Sequence, residues 1–149
     1  MMYAHADQDL MRGLKGHLQP LAKRGDIAIW YDGEICPGQV WDKTIKDQIN
    51  RSDIILLMIS VNFLNSEYID KEELSAAYCR HKEGKAIIVP IIVKPCLWEA
   101  DIRIGTLQVL PQGSKPISSW EDKDEAWVNV VHGIKKIIEQ RNFTFNKPF

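Results

Sequence analysis

The sequence predicts a single α/β domain built on a short parallel sheet. Two continuous apolar runs, residues 53–60 (DIILLMIS) and 86–93 (AIIVPIIV), show no alternation of apolar and polar positions. Strands covered on both faces read this way, as in parallel sheets packed between helices. The segments around them carry apolar stripes at helical spacing. Strands alternating with helices imply βαβ units with right-handed crossovers.

Taken in order, the chain begins with only Met1 to His5 available for a first strand. That strand is expected to be stunted, or to be continued by residues further upstream. Asp7 is placed to cap a helix whose Leu10, Leu14, Leu18 and Leu21 share one face. Residues 26–31 (DIAIWY) alternate in part and read as another strand. Trp41, Ile45 and Ile49 repeat at four-residue spacing, and Leu74, Ala77, Tyr78 and His81 form the next stripe. Pro90 inside the second run marks a bulge or a position that needs no donor. Residues 94–118 contain Pro95, Pro111 and Pro116 and read as loops around a short helix, closed by a brief edge strand near residues 116–118. The strongest stripe is the last: Trp127, Val130, Val131, Ile134, Ile137 and Ile138. The domain is expected to span residues 1–141, with 142–149 as a tail or the start of a linker.

Composition narrows the function classes. A chain of 149 residues, 45% hydrophobic and 26% charged, suits one globular core. A net charge of −1 lacks the basic footprint of a nucleic-acid or anionic-membrane binder. The apolar runs are too short to cross a bilayer, and Asp7 and Asp9 interrupt any signal-peptide core. Cys36, Cys79 and Cys96 are odd in number and form no CxxC, which argues against a disulfide framework and suits a reducing cytoplasm. The four histidines are scattered, so no metal site is expected. No glycine-rich dinucleotide fingerprint or phosphate loop occurs, so no tightly held cofactor is expected.

Several motifs together are specific. Tyr3-Ala4-His5-Ala6-Asp7 resembles the end of the first strand in bacterial TIR (Toll/interleukin receptor) domains. Residues 30–38 (WYDGEICPG) followed by Trp41 resemble the family's loop after the second strand, the BB loop. Residues 52–60 with Phe63, Leu64, Ser66 and Tyr68 resemble its third strand and exit. Glu73-Leu74, the VPII around Pro90, residues 95–98, 107–111 and 115–118 continue in register. The resemblance covers nearly the whole chain. It implies a flavodoxin-like three-layer fold, with a five-stranded parallel sheet and helices on both faces. It also implies an NAD+ hydrolase or cyclase that consumes NAD+ as substrate, releasing nicotinamide and ADP-ribose or a cyclic product. Such domains are activated by self-association, here through the BB loop from Asp32 to Trp41, and bacterial members commonly act in anti-phage defence with a sensor domain or partner. The competing reading is a non-catalytic scaffold that signals by homotypic contacts, and exposed Ile35, Cys36, Pro37 and Val40 suit such a contact. A phospho-receiver would need an acceptor aspartate where this chain has Ser60.

The chemistry needs few groups. Breaking the nicotinamide–ribose bond builds oxocarbenium character on the ribose, which a nearby carboxylate stabilises. The resemblance implies Glu73 as that carboxylate. Asp70 and Glu73 also have capping-box spacing, so both roles stay open, and Glu72 is the alternative acid. The resemblance places Tyr3, Ala4, His5, Asp32, Gly38, Trp41 and Tyr68 around the substrate. Trp41 reads equally as core, and Asp32 equally as the opening of an Asx turn. Some relatives carry a nicotinamide-stacking tryptophan four residues before the glutamate. That position is Ile69 here, and Tyr68 lies one residue away.

Overall fold

In the computed structural model, the backbone is described for residues 1–145 and the side chains for residues 1–141. Two strands, β1 (Ile54–Ile59) and β2 (Ile87–Ile92), pair in parallel with Ile54 opposite Ile87 and Ile59 opposite Ile92. Single parallel bridges extend this ladder on each side, Met2 beside Leu57 and Leu110 beside Ile91. The expected sheet of five strands is therefore two strands flanked by one bridging residue at each edge.

Each missing strand has a local reason. Met2 donates to the Leu56 carbonyl at 2.8 Å and accepts from the Met58 N–H at 2.9 Å, and the chain then winds into a 3-10 turn at His5–Asp7. Residues 26–31 form no strand. A cavity of about 460 Å³, lined by Ile27, Ile29, Ser52 and Ile54, separates them from β1. Among the described residues the Met1 ammonium reaches across, donating to the Trp30 carbonyl at 2.7 Å. With no neighbour to pair with, this segment has no ladder to join. At the other edge Pro111, which has no N–H, follows Leu110. The edge strand expected near residues 116–118 is instead a 3-10 turn, Ile117–Ser119, tied to the sheet by the Ser118 N–H on the Val93 carbonyl at 3.0 Å.

Pro90 needs no donor. The N–H groups of Ile87 and Val93 bond to β1, so the even-numbered positions of β2 face the opposite edge. There the Pro90 carbonyl accepts from Leu110 at 2.9 Å, and the Ile88 N–H is capped by His81 Nδ1 at 3.2 Å. The proline thus sits where the ladder is already sparse.

Helices cover both faces. One side of the sheet, with Ile55, Leu57, Ile59, Ile88 and Ile92, packs under α2 (Trp41–Arg51), the one-turn α3 (Val61–Leu64), α4 (Ser75–Lys82) and the short α5 (Ile102–Gly105). The other side, with Leu56, Met58, Val89, Ile91 and Val93, packs under α1 (Gln8–Lys23) and α6 (Lys123–Phe145). The expected leucine and Trp127 stripes face each other here, closely enough that a Cβ on Gly13 would lie 2.7 Å from the Trp127 indole nitrogen. No helix among the described residues is long and apolar enough to cross a membrane. The expected tail lies partly within α6, which runs to Phe145; residues 146–149 lie outside the described residues.

Asp7 does not cap α1 with its side chain. Its carboxylate is buried at the carboxyl edge of the sheet, bonded by the Ser60 hydroxyl, by Asn62 Nδ2 at 3.3 Å and by Lys94 Nζ at 2.9 Å. Burial alone would raise its pKa, but these donors outweigh burial and hold it below the usual aspartate value. Removing the carboxylate leaves the proton of the fully buried Ser60 hydroxyl without its acceptor. Asp7→Ala is expected to lower unfolding free energy by about 3 kcal/mol, read by urea denaturation at pH 7. Because the folded-state pKa is depressed, that contribution is present above the unfolded aspartate pKa and is lost as pH falls through the folded value. The difference between Asp7→Ala and wild type should therefore shrink in acid.

Candidate active site

The helix that follows Asn65 is not uniformly α-helical. Residues Ile69–Leu74 form a π-helical turn that runs into α4. The expected capping box over Asp70 and Glu73 is absent, because the helix begins before them: Tyr68 is already helical (φ −64°, ψ −49°), and Ser66 Oγ accepts from the Ile69 N–H at 3.3 Å. The wide turn lets Ile69, Glu73 and Leu74 all face inward, at 5%, 8% and 2% exposure. Glu72 points outward onto Lys46 at 3.1 Å, with half of its side chain exposed. The two acids therefore occupy opposite environments.

Glu73 lines a small cavity of about 40 Å³ with Tyr3, Asp32, Trp30, Ile45 and Gln48. Its carboxyl has no hydrogen bond or ion pair among the described residues. Burial raises its pKa to about 7, the Asp32 charge adds to this, and the Met1 ammonium partly opposes it. Strongly displaced carboxyls in cavities are common at functional sites, where acid–base chemistry needs them.

The other residues singled out from the sequence fall into three groups. Tyr3 and Asp32 meet directly, the phenol donating to Asp32 Oδ1 at 2.5 Å. Burial, and then the Asp32 carboxylate, raises the Tyr3 pKa, so Tyr3 stays a neutral donor. His5 is exposed beside them, its Nε2 3.8 Å from Asp32 Oδ2, while Ala4 is buried under the 3-10 turn. Trp41 and Tyr68 form a second group, with ring centroids 4.8 Å apart and planes at 40°. Trp41 is 42% exposed and so does not belong to the core. Gly38 stands apart, exposed at φ +89° in the loop turn and outside the cavity lining. Cys36, Pro37 and Val40 are exposed as expected, but Ile35 is half-buried against the core.

Two participants carry no signal in the sequence. Asp42 accepts from the Tyr68 hydroxyl at 2.6 Å and pairs with Lys46 at 3.1 Å. Lys46 thereby bridges α2 to Glu72 on the wide turn. Both are ordinary charged residues on an amphipathic helix, and only the packing of α2 on that turn selects them.

An unpartnered buried carboxyl has a stability signature. Glu73 titrates near 7 when folded, against 4.5 as its ordinary value. Between these values the unfolded chain has lost the proton and the folded chain keeps it, so stability falls as pH rises. Glu73→Gln should match wild type below pH 4.5 and exceed it by about 3 kcal/mol at pH 8. Denaturation curves at the two pH values check this.

The comparisons with known proteins identify the family of the chain. A family model of the TIR domain matches residues 1–129. The chain is 36% identical over 146 residues to "Uncharacterized protein y4lF" of Sinorhizobium fredii, covering 98% of this chain and 45% of that protein. The chain thus spans under half the length of this relative. No solved structure matches it significantly.

Proposed function

The chain belongs to the TIR domain family, and we propose that this domain cleaves the nicotinamide–ribose bond of NAD+ with Glu73 as its catalytic carboxylate. The observation that carries this reading is the placement of Glu73: buried, unpartnered, and facing a cavity shared with Asp32 and Tyr3. As nicotinamide departs, the ribose gains positive charge. A carboxylate held in a low-dielectric wall is worth more to that charge than one in water. Nicotinamide leaves as a neutral base, so no general acid is required. Asp32, held by Tyr3, is placed to accept from a ribose hydroxyl. Trp41 and Tyr68 offer aromatic faces to the flat rings of the substrate. NAD+ is consumed, and no bound cofactor takes part.

A cavity of about 40 Å³ admits a water molecule and not a dinucleotide. Activity therefore needs the site to open, and we assign that step to self-association through the loop from Asp32 to Trp41, where Val40 is 66% exposed. The three scattered cysteines suit a reducing cytoplasm, and the resemblance implies a role in anti-phage defence with a sensor domain or partner supplying the trigger. The same closed cavity and exposed loop favour the second reading, a non-catalytic scaffold working by homotypic contact.

Product analysis separates the two. Concentrated protein incubated with NAD+ should release nicotinamide at a rate that rises more than linearly with protein concentration. Glu73→Ala and Glu73→Gln should lower that rate by about 10³-fold or more, while Glu72→Gln keeps it. Because the ionised carboxylate acts, kcat/KM should rise through a single ionisation near pH 7. Turnover that survives in folded Glu73→Gln would sink the catalytic reading. No product at any concentration would favour the scaffold.

A further inference from the structure

Tyr68 and Glu73 are five residues apart, and the π-helical turn Ile69–Leu74 lies between them. In an α-helix, positions five apart point about 140° from each other around the axis. A turn that closes i to i+5 holds one residue more, and brings such positions back to nearly the same side. The structure shows this spacing at work in Ile69 and Leu74, five apart and both buried in one core cluster, while Tyr68 bonds Asp42 and lies against Trp41.

The wide turn is held by a clamp on Asp70. The Asp70 carbonyl accepts from Ser75 Oγ at 3.0 Å and from Arg103 Nη1 at 3.3 Å. The Asp70 carboxylate pairs with Arg103 Nη2. Arg103 is itself fixed, Nε and Nη2 gripping the two Asp101 oxygens at 3.0 and 2.7 Å. Asp101 also caps α5, accepting from the Arg103 N–H at 2.9 Å. The guanidinium and Asp101 are each about four-fifths shielded from solvent, and Ile104 on the same short helix is fully buried in the core with Ile69 and Leu74. The clamp is thus built from an element outside the helix it acts on.

We infer that Arg103 is a positioning residue, which holds the wide turn open and so sets Tyr68 on the same side of the helix as Glu73. Its meaning for catalysis rests on the NAD+-cleaving reading above; its effect on the turn does not. With the clamp removed, the turn tightens to an α-turn and carries Tyr68 away from Asp42 and Trp41. The surplus residue that makes the turn wide is itself removable. Lys71 is exposed within it, its one ion pair a 4.0 Å contact with Glu67. Deleting Lys71 leaves an ordinary α-turn in which Tyr68 and Glu73 are four apart and so still share a side of the helix.

The test reads structure and kinetics separately. Ring-to-ring NOEs between Trp41 and Tyr68 are measured in wild type, Arg103→Ala, the Lys71 deletion, and the deletion combined with Arg103→Ala. The NOEs should vanish in Arg103→Ala alone and persist in the other three. Steady-state kinetics should show KM for NAD+ raised about five- to tenfold in Arg103→Ala, with kcat changed much less, and no such change when Arg103→Ala is added to the deletion. Arg103→Lys, which keeps the charge and loses the fork, should restore part of the NOE intensity. Should Arg103→Ala fail to fold, Asp70→Asn combined with Ser75→Ala weakens the same clamp from the other side and takes its place in the series. NOEs retained in the clamp mutant, or lost equally in the deletion background, would overturn the inference. Wild-type protein that releases no nicotinamide while the NOE pattern holds would overturn the catalytic reading and leave the clamp standing.

Discussion

Six parallel residue pairs, from Ile54–Ile87 to Ile59–Ile92, form the ladder on which every other element is placed. It is short, so its stability comes from burial on both faces rather than from its length. Alternate residues of the two strands enter two separate apolar clusters, one under α2, α4 and α5, the other under α1 and α6. Met2 and Leu110 then extend it by one bridge each. Because both strands end at the same edge, Ser60 and Lys94 emerge side by side and hold the Asp7 carboxylate between them.

Two buried carboxylates show opposite solutions to one problem. Asp7 is surrounded by donors, and they keep it charged despite complete burial. It ties the first turn of the chain to the ends of both strands, a structural duty that a satisfied ion performs well. Glu73 has no such partners and holds its proton up to about pH 7. An acid in that state destabilises the fold at neutral pH, and nothing in the packing of Ile69, Leu74 and Ala77 requires it. Burial without compensation is common among titratable groups at functional sites, and the catalytic role proposed for Glu73 rests on it.

The wide turn links these layers. An α-helix through residues 69–74 would set Ile69 and Leu74 about 140° apart around its axis, since they are five apart. The π-turn buries both, and in our inference the same step sets Tyr68 on the side of the acid. Packing and site geometry are therefore solved by one irregularity, held from outside by Arg103 and Asp101.

The amino-acid sequence by itself determined the class of the fold, its two central strands, the helices on each side and the family, because continuous apolar runs and four-residue stripes are local patterns that survive any context. Ile54–Ile59, Ile87–Ile92, the leucine stripe and the Trp127 stripe could be read directly. What it could not determine was pairing at the edges. Residues 26–31 have strand composition but no neighbour across the rift, and residues 116–118 bond the sheet only through Ser118. Nor could it assign Asp7, which reads as a helix cap and is a buried ion, or Glu73, whose spacing from Asp70 suits a cap as well as a site. A capping pattern is a statement about three or four residues. Whether a carboxyl is capped, paired or left alone depends on groups up to 87 residues away in sequence, such as Lys94 for Asp7, and only the tertiary structure brings those together.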